Sequence, residues 1–568
     1  MRIALLTHQF PGARLGGIGA YTLHNARALA AAGHEAHLFT LPLPADAHPA
    51  LPPGVVLHEV TPQPPDSPPA ACGELIYRMT LADAFAGHVL AAHRATPFDL
   101  VEGPEYEALA LSLAQGEIPV VTHLHSGSAI ARDAGNAPES AEQAMREALE
   151  LELLAASDAR CAPSHAVVRD TFHAYGIGHP PATLPTDILP LPFEPVDTPF
   201  TPPPVHGPIL YINRLERLKG AHLLAQAALP FLKRHPEASI RFVGPDSMTA
   251  PTRNGETAPR SMADYLRAHL APVASQVHLP GEASRETLAR ELAACTFVVL
   301  PSLRESYSYV ACEALAAGRP VLVSSDTGAA EVIGDAGIVF PRGNADALAA
   351  AMETLWQNPA RREELARRAY ARAHTQLASA ATMPSRVRFY ETVIAHRRQH
   401  GMASLPRQLE SLPRHFATRA AAARALCAGD TARAVRLLAS TGVAWDPNTA
   451  ATPGTRLLAR LAAHARQKPV AFYLYGAGRH TERLLQEQPR WEAAGHRLLG
   501  LLDDHPRFAA APTFRSLPVL SLQQATKKLG LGDVLILSTD TFEDQFFAQS
   551  APLRAKGVAV YRLYGSNP

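Results

Sequence analysis

PSLRESYSYVACEALAAGRP, residues 301–320, follows the apolar run Phe297-Val298-Val299-Leu300. A short, unbroken apolar run of this kind reads as a buried strand. Ser306 and Ser308 are N-cap residue types, and Gly318 with Pro320 beyond it is a helix stop. The stretch predicts strand, loop and helix, with the helix starting near Ser308 or Tyr309 and ending at Gly318. A strand that feeds a helix N-terminus offers free backbone N–H groups to an anion. Glu305 falls on the loop and Glu313 inside the helix, an E-x7-E spacing. Eight residues of continuous helix would hold them about 12 Å apart. That exceeds the ~5–9.5 Å carboxylate pair of a glycoside hydrolase. With one on the loop and one on the helix, the two carboxylates can instead line a single elongated ligand and accept from sugar or ribose hydroxyls.

Upstream, PILYIN (208–213) is another strand, followed by the loop NRLERLKG (213–220) and the helical AHLLAQAALPFLKRH. Arg214 and Lys219 stand in that loop. A guanidinium fork and a flexible ammonium five residues apart suit a diphosphate. SIRFVG, VHLPG (277–281), PVLVSS (320–325) and GIVFP (337–341) complete a second α/β half, with 344–375 mostly helical. The first half opens in the same way. RIALLT (2–7) reads as a strand, GARLGGIGAY as a glycine-bearing loop, 20–32 as a helix and EAHLFT as a second strand. This is the β-loop-α-β opening of a parallel sheet. FDLVEGPEY (98–106) and IPVVTHLHS (118–126) read as later strands with polar residues at their C-terminal ends, where open α/β sheets bind ligands. Residues 139–156 read as a helix and ARCAPS as a short strand ending in a turn. Residues 41–70 are proline-rich and read as irregular, and the proline-rich 180–208 reads as a linker.

Length and charge bound the alternatives. At 568 residues the chain has room for several domains, and its net charge of +1 argues for neither nucleic acid nor an acidic membrane surface as partner. Five widely spaced cysteines with no C-x-x-C pair predict a reduced, cytoplasmic protein without a disulfide framework. No apolar run reaches the ~18–20 residues of a membrane-spanning helix, which leaves peripheral membrane contact open.

The ordered set of motifs resembles the retaining glycosyltransferases of family 4, which have the GT-B fold of two Rossmann-like domains facing a cleft. The matching pieces are GGIGAY (16–21), HLHSG (123–127), APSHAV (162–167), LPFEPVD (191–197), NRLERLKG (213–220), VHLPGE (277–282), 301–333 and GIVFPRGN (337–344). The resemblance implies an N-terminal Rossmann-like acceptor-side domain over 1–195 and a nucleotide-sugar-binding domain over 205–375. It also implies that helix 376–400 packs back across the hinge. It implies a catalytic set of His125, Arg214, Lys219 and Glu305. Arg214 and Lys219 would neutralise the donor diphosphate, Glu305 would take the sugar hydroxyls and Glu313 the ribose. Gly16 and Gly17 would let the backbone approach the donor. His125, with His123 as the alternative, would stand near the anomeric carbon. The chain departs from the family at Ser306 and Ser308, where glycines are usual.

The reaction implied is transfer of a sugar from a UDP- or GDP-sugar to a hydroxyl of a glycan, lipid or protein. No cofactor is implied. No Asp-x-Asp occurs, which fits a metal-independent mechanism in which Arg and Lys replace the cation. Two alternatives come from other classes: a non-catalytic nucleotide-sugar-binding scaffold, and a bifunctional enzyme with a nucleotide-dependent third domain.

Residues 401–466 are Ala/Arg-rich and read as a helical spacer. From 467 a third Rossmann-like α/β unit is predicted, PVAFYLYGAGRHTERLL onwards to 568. Gly476 and Gly478 begin a dinucleotide fingerprint that lacks its last glycine, and Asp503 falls where a ribose-binding acid would stand. The unit also reads as an accessory module for assembly, through which the chain could oligomerise.

Overall fold

The structure is a computed structural model. It describes all residues except 10–16, 44–47, 63–72, 115, 131–139, 179–180, 183, 248–260, 402–413, 429, 442, 444–456, 458–460, 462–469, 477–480, 482–483, 486–487, 506–507, 509–511, 539–542 and 564–568. The chain divides into two compact units, 1–246 with 262–445, and 247–261 with 446–568.

The first unit holds two parallel sheets. The first sheet takes β1 (Arg2–Leu6), α1 (Gly17–Ala31), β2 (Glu35–Thr40), β3 (Val55–Glu59), α2 (Gly73–Ala95), β4 (Leu100–Pro104), β5 (Val120–His123), α3 (Ala141–Ala156), β6 (Ala159–Ala162), α4 (His165–Ala174) and β7 (Asp187–Ile188). Its strand order is β3-β2-β1-β4-β5-β6-β7, and each pairing is parallel. The chain moves outward on one side of β1 and then restarts on the other, so the topological switch lies between β1 and β4. Ligands in such sheets bind at the C-terminal strand ends beside the switch.

The second sheet repeats the scheme. It takes β8 (Ile209–Ile212), α5 (Ala221–Arg234), β9 (Ile240–Val243), α6 (Met262–His269), β10 (Val277–Gly281), α7 (Arg285–Ala294), β11 (Phe297–Leu300), α8 (Tyr309–Ala316), β12 (Val321–Ser324), α9 (Gly328–Ile333) and β13 (Ile338–Phe340). The order β10-β9-β8-β11-β12-β13 puts the switch between β8 and β11. The loops after those two strands are 213–220 and 301–308, the loops singled out in the sequence. Their close approach demands a glycine: a Cβ on Gly220 would lie 1.9 Å from the Pro301 carbonyl oxygen.

Helices α10 (Ala345–Gln357) and α11 (Pro359–Arg372) cover the second sheet, and α12 (Ser379–His400) returns to the first. The return is pinned by a bridge between Phe193 and Ala378 and by Ser379, whose N–H donates to the Phe193 carbonyl at 2.8 Å. Met383, Tyr390, Val393 and Ile394 of α12 join Ile3, Leu5 and Leu29 in one core cluster.

Three expectations need correction. Residues 55–59, inside the segment read as irregular, form the edge strand β3. The 180–208 segment is not a free linker: Asp187 and Ile188 extend the first sheet, and Leu189, Leu191 and Phe193 are buried. The helices α13 (Arg414–Cys427) and α14 (Thr431–Ala439) are not a spacer. Phe416, Ala420, Ala423, Leu426 and Leu438 enter the core of the first sheet's domain, and the Phe416 ring meets Tyr175 edge-on. A run of small alanines lets α13 approach α3 closely, and burial of that apolar face fixes its place.

The second unit carries a third sheet, ordered β16-β17-β15-β14-β18-β19. Its strands are β14 (Ala471–Tyr475), β15 (Arg497–Leu502), β16 (Thr513–Phe514), β17 (Leu517–Leu520), β18 (Val534–Leu537) and β19 (Ala559–Arg562), parallel except for the β16–β17 pair. Among the described residues no helix is long and apolar enough to cross a membrane.

Candidate active site

At the C-terminal edge of the second sheet, Lys219 and Glu305 meet. Lys219 Nζ donates to Glu305 Oε2 at 2.9 Å, with the two side chains only 18% and 12% exposed. The loop that carries Lys219 is held from below: the buried Tyr211 hydroxyl donates to the Arg214 carbonyl at 2.8 Å and lies 3.4 Å from the Lys219 carbonyl. Arg214 points outward and pairs with Glu216 at 3.1 Å. Eight residues after Glu305, Glu313 stands one turn inside α8. It is open to solvent on one side and crowded by protein on the others. That crowding raises its carboxyl above the ordinary range, and the charge of Arg285 opposes the rise. Helix α8 begins as predicted, with the Ser308 hydroxyl accepting from the Ala311 N–H.

On the first sheet, His123 ends β5 and His125 follows it. The two rings lie 4.3 Å apart, and the Tyr21 ring of α1 sits 4.3 Å from the first and 5.0 Å from the second. Both histidines are buried, and neither ring nitrogen of His123 has a hydrogen-bond partner. Burial, then the charges of Arg386 and His8, push His125 down to about 3, so its imidazole is neutral at pH 7. Burial likewise lowers His123, with His125 and Arg386 adding to the effect. Of the glycine pair, Gly17 starts α1 with open space where a Cβ would stand, and Gly16 lies outside the described residues.

This pair of sheets, each with its polar loops at the switch, matches known proteins. Residues 16–185 match the model of the glycosyl transferase 4-like domain, and 207–358 match glycosyl transferases group 1. The D-inositol 3-phosphate glycosyltransferase of Kineococcus radiotolerans is 27% identical over 405 residues, covering 66% of this chain and 91% of its own. A glycogen synthase of Mycobacterium tuberculosis is 28% identical over 395 residues, covering 65% and 89%. Among solved structures, sucrose-phosphate synthase from Thermosynechococcus elongatus superposes with a TM-score of 0.53 at 20% identity, covering 69% of this chain and 99% of that one. Anabaena HepE, solved with UDP and glucose, gives 0.51 at 19%, covering 69% and 100%. The chain is a family 4 glycosyltransferase of the GT-B fold.

The histidine pair of this glycosyltransferase rests on a buried polar network that sequence reasoning missed. Glu102 of β4 accepts from the Tyr21 hydroxyl and from the Tyr390 hydroxyl, both at 2.6 Å. Asn25 donates to Tyr390 at 3.2 Å, and Arg386 donates to the Tyr21 hydroxyl at 2.7 Å. Arg386 also reaches the Leu189 and Pro190 carbonyls at 3.2 Å each. The network thus ties α1, β4, the crossover segment and α12 together directly under the two rings. The polar end of FDLVEGPEY was its one visible trace. A second layer holds the His125 backbone: its N–H donates to both Glu105 oxygens at 2.8 and 2.7 Å. Burial pushes the Glu105 carboxyl up to about 8, the His125 N–H opposes, and Glu150 adds to the rise.

In the third sheet of the glycosyltransferase, Gly476 and Asp503 directly follow the adjacent parallel strands β14 and β15. The Gly476 carbonyl accepts from the Thr481 and Ser538 hydroxyls. Asp503 Oδ1 accepts from the His505 N–H at 2.8 Å. Gly478 lies outside the described residues.

Proposed function

We propose that this glycosyltransferase takes a nucleoside-diphosphate sugar in the cleft between its first two sheets and transfers the sugar to a hydroxyl acceptor with retention of anomeric configuration. The observation that carries the reading is the Lys219–Glu305 pair at the β8/β11 switch. A cation and a carboxylate at one point match a donor whose diphosphate and sugar hydroxyls lie side by side. Arg214 and Lys219 neutralise the diphosphate as the glycosidic bond breaks, a stabilisation that needs no metal ion. Glu305 takes the sugar hydroxyls, and Glu313 takes the ribose. His125, held neutral, orients the sugar from the opposite wall, and Gly17 leaves room for it. UDP is the nucleotide of choice, because HepE, of the same fold, was solved with UDP.

The acceptor enters from the first sheet. Arg78 Nη1 and Arg146 Nε are buried without hydrogen-bond partners and line a cavity beside Glu107 and Glu150. Spare N–H donors of two arginines favour an acceptor that carries an anionic group, in keeping with the inositol-phosphate relatives. A panel of UDP-, GDP- and ADP-sugars, with NMR of the product anomer, tests the reading. Turnover of a UDP-sugar with a retained anomer supports it. Nucleotide binding without turnover in the presence of phosphorylated and neutral acceptors overturns it.

A further inference from the structure

The APSHAV motif (162–167) is absorbed by none of the roles above. In the structure it starts α4, and the second sheet's domain caps it. The first three N–H groups of a helix have no partner within the helix. Here the Glu331 carboxylate, from α9, takes two of them: His165 N–H at 3.0 Å and Ala166 N–H at 2.9 Å. It lies 3.0 Å from His165 Nδ1 as well. The third, Val167 N–H, donates to the Ser164 hydroxyl. That hydroxyl donates in turn to the Ser306 carbonyl at 2.7 Å. Arg169 adds a further bond to the Asp326 carbonyl at 2.7 Å. Apart from the Val167–Ser164 cap bond, these contacts run from the first sheet's domain to the second's.

The contacts converge on the loop that bears Glu305. The Gly328 N–H at the start of α9 donates to the Glu305 carbonyl at 2.7 Å. A Cβ on Gly328 would stand 2.1 Å from the Ser306 oxygen, so α9 and the Glu305 loop move as one piece. We propose that Glu331 and Ser164 are positioning residues that couple closure of the two domains to the setting of Glu305. When the domains meet, the carboxylate seats on the positive end of α4 and Ser164 pins the Ser306 carbonyl, which fixes the loop at the residue next to Glu305. When they part, α4 loses two cap bonds and the Glu305 loop loses its outer support. Neither residue touches substrate. The kinetic part of the inference rests on the nucleotide-sugar reading, and the exchange part does not.

The test uses the full chain and the variants Glu331→Gln and Ser164→Ala. Glutamine keeps the shape but places an N–H2 against the helix N–H groups. Amide hydrogen exchange is followed on peptides covering 162–170 and 303–310. The Glu331→Gln variant raises exchange in both, although it is bonded to only one of them. In turnover of a UDP-sugar, Glu331→Gln lowers kcat/KM by ~10-fold or more while the Kd for free UDP changes by less than ~3-fold, because a lost charged cap acts on closure and not on the nucleotide. Ser164→Ala gives a smaller loss of ~3-fold. Exchange changes confined to 162–170 overturn the coupling and leave Glu331 an ordinary cap, as does a parallel loss of UDP affinity. Absence of any sugar-nucleotide turnover in the parent chain overturns the donor reading, and the exchange result then decides the coupling alone.

Discussion

The two faces of the cleft are built in opposite ways. On the second sheet the proposed donor groups sit on two loops and the first turns of α8, each in a simple pair or partly open: Lys219 with Glu305, Arg214 with Glu216, and Glu313 open on one side. On the first sheet the two histidines lie on a dry floor of buried polar groups, where Tyr21, Asn25, Glu102, Arg386 and Tyr390 are hydrogen-bonded to one another. Charge proposed to meet a ligand is left in simple pairs, and charge that holds geometry is buried in a network. The contrast teaches which substitutions will cost activity and which will cost the fold.

The largest effect expected is on the dry side. Arg386 Nη1 lies 3.5 Å from Glu102 Oε2 with both side chains buried, so Arg386→Met takes away that carboxylate's ion-pair partner. A broken buried pair costs about 3–5 kcal/mol. Urea unfolding of the variant should show that loss, and a loss under 1 kcal/mol would mean the network is not load-sharing as described. On the wet side, Lys219→Ala should cost less in unfolding than Arg386→Met, because Glu305 keeps some solvent contact, and should lower kcat/KM by ~10²–10³-fold, the usual cost of removing one preorganised stabilising group. Near-normal transfer by that variant would break the donor-site assignment.

The same contrast explains what could be read from the sequence. The E-x7-E stretch and the NRLERLKG loop were legible because each is one strand, one loop and one helix: the signal is local and the residues that act together lie close in sequence. The network under the histidines was not, because Tyr21, Glu102 and Arg386 come from three distant segments and each alone is an ordinary residue. Helix α2 escaped because its apolar residues are spread round the helix instead of forming one stripe. Strand β3 escaped because prolines surround a five-residue edge strand, a position that tolerates them. Helix α13 reads as a spacer in the sequence because alanines with interspersed arginines give little hint of a buried face; Phe416 is the informative residue.

Glu105 offers a gentler probe of the dry side. Its folded value of about 8 stands above the ~4.3 of an unfolded glutamate. Between those two values the folded protein holds a proton that the unfolded chain has released. Stability therefore falls as pH rises from ~4.3 to ~8, and the cost is complete above that window. Glu105→Gln cannot ionise, yet its carbonyl can still accept from the His125 N–H. The difference in unfolding free energy between variant and parent should grow with pH by about 1 kcal/mol per unit between pH 5 and 8. Glu150, also raised by burial, stays in both proteins. Parallel pH profiles would show that Glu105 is not the titrating group.

The smallest effect brings the comparison down to two serines of the opening stretch. Ser308 has φ 98°, a conformation in which a Cβ is strained, while Ser306 is not among the positive-φ residues. Strain of this kind costs of order 1–3 kcal/mol. Ser308→Gly removes it, at the expense of a few tenths for the weakened cap and about 0.5–1 kcal/mol of chain entropy. The net should be a gain of up to about 2 kcal/mol. Ser306→Gly has the entropy cost without the relief and should lose about 0.5–1 kcal/mol. The same change two residues apart should thus have opposite signs, readable in urea midpoints measured side by side. Equal signs would mean that the surrounding loop relaxes around Ser308 without strain. Opposite signs would mean that the wet face, for all its openness, keeps one rigid point, and that it lies at the N-terminus of the helix that presents Glu313.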